Sequence, residues 1–292
     1  MKDYLIRAID KKGMIRIFAA NTTNTVEAAR RAHDTSPTAT AALGRSLTAG
    51  VMMGSMMKND NDSLTLKIAG DGPAGKILVV SKNDGKVKGY MDNPKADLPS
   101  RANGKLDVGG IVGRNGTITT TMDLGLKDPY VGQANLVSGE IAEDLANLYA
   151  VSEQQPSVVS LGVLVDKDIS TKAAGGYIIQ LLPGVSEGDI DKIEESLKTI
   201  EPASVMIDKG FSPEDIIKKL LKNFEIKILD RIELEYKCDC SREVTEKVIK
   251  SLGKEEIKTI IEEDGGAEIV CHFCNTKYQF DEENLSKLLI DN

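Results

Sequence analysis

The 292-residue sequence contains no tryptophan, only two histidines, and no cysteine before residue 238. Aromatic residues make up 4% of the chain, so its core must rest on Ile, Leu, Val, Ala and Met. No window approaches the run of about 20 apolar residues that a membrane helix needs. The N-terminus, MKDYLIRAID, has no uninterrupted apolar stretch and no cleavage-site pattern, so no signal peptide is expected and the cytoplasm is the default location. There is also no basic run. The net charge is −8, and residues 231–292 carry 9 Lys/Arg against 15 Asp/Glu, a net −6. Such a tail is a poor partner for a phosphate backbone, which argues against nucleic acid.

What is present is ordinary for a globular chain: 41% hydrophobic and 28% charged residues, enough to bury a real core in one large or two unequal domains. YLIRAI and MIRIFAA flank DKKG, a hairpin signal. TSPTATAALGRSLTAGVMMGSMMK (35–58) is the longest helix candidate, with Thr35 or Ser36 as cap and Pro37 in the first turn. Its small residues allow close packing. Its methionines offer either an adaptable apolar surface or, as the simpler reading, part of a buried core helix. Short β-type runs follow from 63 to 123, then an amphipathic helix over 138–155, then two more strands. Strands come in runs rather than alternating with helices, so residues 1–182 are read as one α+β domain.

Residues 183–230 differ. SEGD and SPED open two short, charged helices with capping signals at Ser186 and Ser212. Isolated helices of this length are marginal in water, so this charged helical linker must lie on something to stay folded. Residues 231–292 form a small third segment with few large apolar side chains, the kind of unit that needs a staple.

The four cysteines supply one. Cys238 and Cys240 make a C-x-C pair, and Cys271 and Cys274 a C-x-x-C pair thirty residues later. Two close pairs on separate turns can bring four sulfurs to the corners of a tetrahedron, the geometry that structural Zn²⁺ prefers. His272 lies inside the second pair but is not needed once four thiolates fill the sphere. A site closed by four protein ligands has no open position for substrate, so it is not expected to be catalytic. It can still be oxidised, because each pair keeps a resolving sulfur within one turn. Metal binding in so small a domain is largely its folding energy, so oxidation should unfold it.

Two other motifs are read as structural. GDGPAG (70–75) fits a dinucleotide fingerprint but is followed by a strand, not a helix, so it is read as a hairpin turn. HDTS (33–36), around His33, is read as a turn and cap rather than a triad.

The chain resembles the 33 kDa chaperonin family of redox-regulated heat-shock holdases. KCDCS and CHFC look like that family's zinc motifs, and RRAHDTSPTATAALGR, GDGPAGKILV, SEQQPSVVSLGVLV and AGGYIIQLLPG look like further family segments. The resemblance implies an α+β core domain, a helical linker and a small C-terminal zinc-binding redox-switch domain. It implies one Zn²⁺ on Cys238, Cys240, Cys271 and Cys274 in an inactive reduced state. It further implies that Cys238–Cys240 and Cys271–Cys274 disulfides form on oxidation, with zinc release, unfolding of the tail and linker, and ATP-independent binding of unfolded client proteins by a homodimer. The chain is then not an enzyme. Two alternatives stand beside this: a zinc-ribbon interaction module without redox switching, and a thiol oxidoreductase using Cys271 and Cys274, which lacks the expected βαβ context.

Overall fold

A computed structural model describes residues 2–290. The chain divides into two compact units, Met1–Lys237 and Cys238–Asn292.

The first unit is α+β and holds two sheets. Strands β1 (Tyr4–Asp10) and β2 (Ile15–Asn21) form the expected hairpin. Its turn is held by the Asp10 carboxylate, which accepts hydrogen bonds from the backbone N–H groups of Lys12, Met14 and Ile15. Helices α1 (Thr23–His33) and α2 (Pro37–Gly54) follow. Strands β3 (Ser63–Ala69), β4 (Lys76–Ser81) and β5 (Lys86–Met91) come next, then helix α3 (Val108–Val112), strands β6 (Thr117–Asp123) and β7 (Tyr130–Asn135), and helix α4 (Ala142–Val151). Strands β8 (Ser157–Val165) and β9 (Thr171–Leu181) return to the first sheet. The second sheet is antiparallel from β5 to β7 in the order β5-β4-β3-β6-β7. GDGPAG is the β3–β4 hairpin connection, as its flanking strands required.

Helix α2 is capped by Ser36, whose hydroxyl accepts from the Ala39 N–H, and almost all of it is buried. It packs against strands of both sheets. Its small residues permit this: a Cβ on Gly50 would stand 2.5 Å from Val79 Cγ1. Met52 and Met53 lie in this core, so the buried-helix reading of the methionines holds for them, while Met56 is only half-buried. His33 is also buried, its Nε2 3.0 Å from the Tyr236 hydroxyl.

Helices α5 (Glu187–Thr199), α6 (Ala203–Asp208) and α7 (Pro213–Leu220) come from the charged stretch. Ser186 caps α5 by accepting from the Asp189 N–H, and Ser212 and Asp215 form a full capping box on α7. The helices lie on the face of the first sheet opposite α2. Ile193, Met206, Ile216, Ile217 and Leu220 pack there with Ile6, Ile15, Ile17, Tyr177 and Ile179. Polar contacts reinforce the seam. The Tyr4 hydroxyl donates to Glu214, Arg231 stacks 3.8 Å above the Tyr4 ring, and Lys12 bridges to Asp189.

The boundary read at 230/231 falls inside a strand. β10 (Ile226–Glu233) pairs antiparallel with β1, giving the first sheet the order β10-β1-β2-β9-β8. β11 (Glu235–Tyr236) then pairs parallel with β5. The segment 226–236 belongs to the first unit because its backbone groups are spent on β1 and β5. Its charged sequence reflects an edge strand exposed along most of its length.

The second unit contains helices α8 (Arg242–Lys250) and α9 (Lys254–Asp264), the hairpin β12 (Gly266–Val270) and β13 (Lys277–Asp281), and helix α10 (Glu282–Ile290). Its buried apolar core is Ile249, Ile257, Phe280, Leu285 and Leu288. Arg242 stacks 4.5 Å over the Phe280 ring and donates to the Gln279 carbonyl, pinning α8 to β13. Among the described residues, five buried side chains make a thin core for some fifty residues.

Candidate metal centre

The β12–β13 connection is a tight turn made by the C-x-x-C sequence. Cys271 N–H donates to the Thr276 carbonyl, and the N–H groups of Cys274 and Asn275 both donate back to the Cys271 carbonyl. Asn275 takes a positive φ of 55°, which lets the chain reverse. This folds Cys271 and Cys274 toward one side of the hairpin end. The C-x-C pair lies on the irregular stretch just before Ser241, which caps α8 by accepting from the Val244 N–H.

The four sulfurs converge. Cys238 Sγ lies 3.6 Å from Cys271 Sγ, Cys240 Sγ lies 3.3 Å from Cys274 Sγ, and all four fall within 4.8 Å of one another. Sulfurs held about 2.3 Å from a common tetrahedral ion stand about 3.8 Å apart. The donor set therefore fits a four-coordinate, thiolate-binding metal ion with only small adjustment. All four are free cysteines. Two close contacts run between the pairs, Cys238 with Cys271 and Cys240 with Cys274, as vertices of one tetrahedron allow. Among the described residues, the group able to hold a metal ion is these four cysteines, without His272.

Two hydroxyls complete the site that spacing alone did not point to. The Tyr278 hydroxyl donates to Cys240 Sγ at 3.2 Å, and Thr276 Oγ1 lies 3.2 Å from Cys274 Sγ. Both follow the C-x-x-C pair by two and four residues, a placement that the alternation of β13 explains only after the hairpin is known. The hydrogen bond to Cys240, then burial, hold the Tyr278 phenol up at about 12. Burial pushes the Cys238 and Cys271 thiols up. At Cys274 burial acts upward, but hydrogen bonds with Thr276, Cys240 and Cys271 together outweigh it and bring the thiol down to about 7. Chemically the cluster can bind a soft cation or be oxidised. It offers no general base and no open coordination position.

Comparison with known proteins gives one consistent result. A sequence profile described as Hsp33 protein matches residues 3–281. The 33 kDa chaperonin of Clostridium tetani is 50% identical over 289 residues, 99% of this chain and 98% of its own. That of Alkaliphilus oremlandii is 50% identical over 288 residues, 99% and 96% of the two chains. The crystal structure of a 33 kDa chaperonin (heat shock protein 33 homologue) from Thermotoga maritima matches with a TM-score of 0.93 at 35% identity, covering 100% of both chains.

Proposed function

The chain belongs to the Hsp33 protein family of heat-shock chaperones, and from that premise we propose that it is a redox-switched, ATP-independent holdase. The observation that carries the proposal is the convergence of Cys238, Cys240, Cys271 and Cys274 in a unit whose buried core is five side chains. Zn²⁺, the proposed ion, would hold the four sulfurs as thiolates and add its binding energy to the fold of the unit.

The switch is proposed to work through these residues. A thiolate attacks the O–O bond of a peroxide, becoming a sulfenic acid while one water leaves. The second cysteine of its pair displaces the hydroxyl as a second water and closes the disulfide. Each thiolate pair thus loses two electrons and reduces one peroxide, and the two waters formed take up two protons from solvent. Assigned on the family resemblance, the bonds are Cys238–Cys240 and Cys271–Cys274. With its donors spent, the tail no longer holds an ion and unfolds. Helices α5–α7, proposed as the separable linker, then lift from the sheet and expose the apolar face they cover, which binds unfolding clients. The oxidised form is proposed to be a homodimer. A reducing compartment, the cytoplasm, suits a resting state of four free thiols. Among the described residues no helix is long and apolar enough to cross a membrane.

The test compares reduced and peroxide-treated protein in suppressing thermal aggregation of a client, with zinc release, disulfide mapping and light scattering on the same samples. Suppression by the oxidised form alone, as a metal-free dimer with the two stated bonds, is expected. Equal activity in both states would remove the switch and leave a metal-stapled interaction module.

A further inference from the structure

Strand β8 is an edge of the first sheet, and no charge or proline within it guards that edge. Edge strands are normally blunted by charge, proline or a bulge, because their free N–H and C=O groups template another strand. Ser157–Val165 reads SVVSLGVLV, nine residues without a charge or a proline, and its one irregularity of register comes at Leu164/Val165. The opposite edge, β10, carries Lys227, Asp230, Arg231 and Glu233.

The register identifies the free groups. Leu181 N–H donates to the Pro156 carbonyl, one step beyond the Ser157–Gln180 pair, so the even-numbered residues exchange hydrogen bonds with β9. Val159, Leu161 and Val163 therefore turn their N–H and C=O groups away from β9. Among the described residues these groups have no other hydrogen-bond partner.

Those of Leu161 and Val163 face a built space. Leu161–Val165, five consecutive residues, border a groove of about 620 Å³. A groove on one face of a strand would meet alternate residues only, so this one runs along the edge. Ala41 of α2 lines one side and Ser204 of α6 another, with Leu106 on the 100–106 loop. Both helices pack on β8, so an added strand would enter a layer already covered on two faces. Lys105 and Lys167 border the groove without an ion-pair partner among the described residues. Arg45 is committed to Glu140, and Asp166 is the only carboxylate among the lining residues.

We infer that this edge receives a β-strand from an unfolded protein: an extended apolar segment of about five residues with a carboxylate at one end. Main-chain hydrogen bonds to Val159, Leu161 and Val163 hold the segment, and Lys105 and Lys167 take its acidic end. Because the backbone is common to all proteins, such a site reads little of the client sequence beyond apolar character and one acidic end. The source of the ligand rests on the holdase reading; the geometry does not. The groove is open while the cysteines are thiols, so binding needs no oxidant. One strand buries too little area to hold an aggregating client by itself.

The experiment titrates reduced, full-length protein with a labelled ten-residue peptide of alternating valine and threonine with one terminal aspartate. A twin peptide is N-methylated at alternate residues, keeping the side chains and losing the donors along one edge. Amide hydrogen exchange is followed at Leu161 and Val163. The peptide should slow that exchange at least tenfold, and the twin should bind at least tenfold more weakly. Lys105→Glu with Lys167→Glu, both exposed, should weaken binding severalfold. Leu161→Pro should abolish it by removing an outward donor; if that variant fails to fold, the twin peptide and the lysine pair still decide. Equal binding of both peptides, or unchanged exchange at Leu161 and Val163, overturns the site. Exchange that slows with protein concentration alone would give the edge to a second copy and also overturns it. Aggregation suppression by oxidised protein with no peptide effect at β8 sinks this inference and leaves the holdase standing. A peptide effect without suppression does the reverse.

Discussion

Glu27 shows how one side chain ties α1 to the sheet. Its carboxylate accepts from Arg30, Arg31 and the Thr171 N–H. Hydrogen bonding from Arg30, working against burial, holds it at about 2, below the ordinary 4.5. The folded state therefore favours the ionised form. Its stabilising contribution is complete above about pH 4.5 and is lost as the pH falls toward about 2. Glu27→Gln should cost about 2 kcal/mol at neutral pH and flatten the acid limb of stability over that window, as measured by denaturant titration at several pH values. Residues of this kind were invisible in the sequence, since Thr171 is remote from Glu27 along the chain. The cysteines were visible because their chemistry is carried by identity and spacing. Tyr278 and Thr276 were not, because nothing local distinguishes a phenol aimed at sulfur from one aimed at solvent.

At the level of elements, the linker helices were legible where the signal is local. Ser212 caps α7 and Pro213 opens it, as read from the SP start, and Asp215 completes the box. Ser212→Ala should cost about 1 kcal/mol by leaving a first-turn N–H without its partner, read as a fall in denaturation midpoint. Ile216, fully buried against the sheet, is the stronger lever. Ile216→Asp places a carboxylate in that seam and should lift α7. Amide exchange in 213–220 should speed up severalfold, and the reduced protein should suppress client aggregation without oxidant. Faster exchange with no gain in suppression would separate helix release from client binding. Strand β10 was legible only at its end, where RIELEY alternates as a strand; residues 226–230 fell in the stretch read as helical linker, because an edge strand exposed along most of its length needs no apolar alternation, and the pairing with β1 was not readable.

For the whole molecule, the two units predict a divided response to metal. Ion binding to a small four-thiolate site contributes about 10 kcal/mol or more, as much as the entire stability of many small domains. Chelation under reducing conditions should therefore remove the cooperative transition of Cys238–Asn292 and open that stretch to protease, while Met1–Lys237 keeps its own transition. Calorimetry with limited proteolysis checks this, and a single shared transition would contradict it. The α+β class was readable from pattern periodicity. The division at 237/238 was not, because it depends on which strands pair across more than two hundred residues.

The helices α5–α7 join two strands that both stay stitched into one sheet, β9 before them and β10 after, with β1 and β2 lying between those strands. The segment is thus a bridle buckled at both ends, not a flap with a loose end. When it slackens it cannot wander off; it remains a closed loop hovering over the surface it left. Loop closure of that kind carries a modest entropic toll, so reseating is a short local search. Under the proposed holdase mechanism, a client on that surface would compete throughout with this tethered segment, and the connectivity of the chain would favour letting go of cargo.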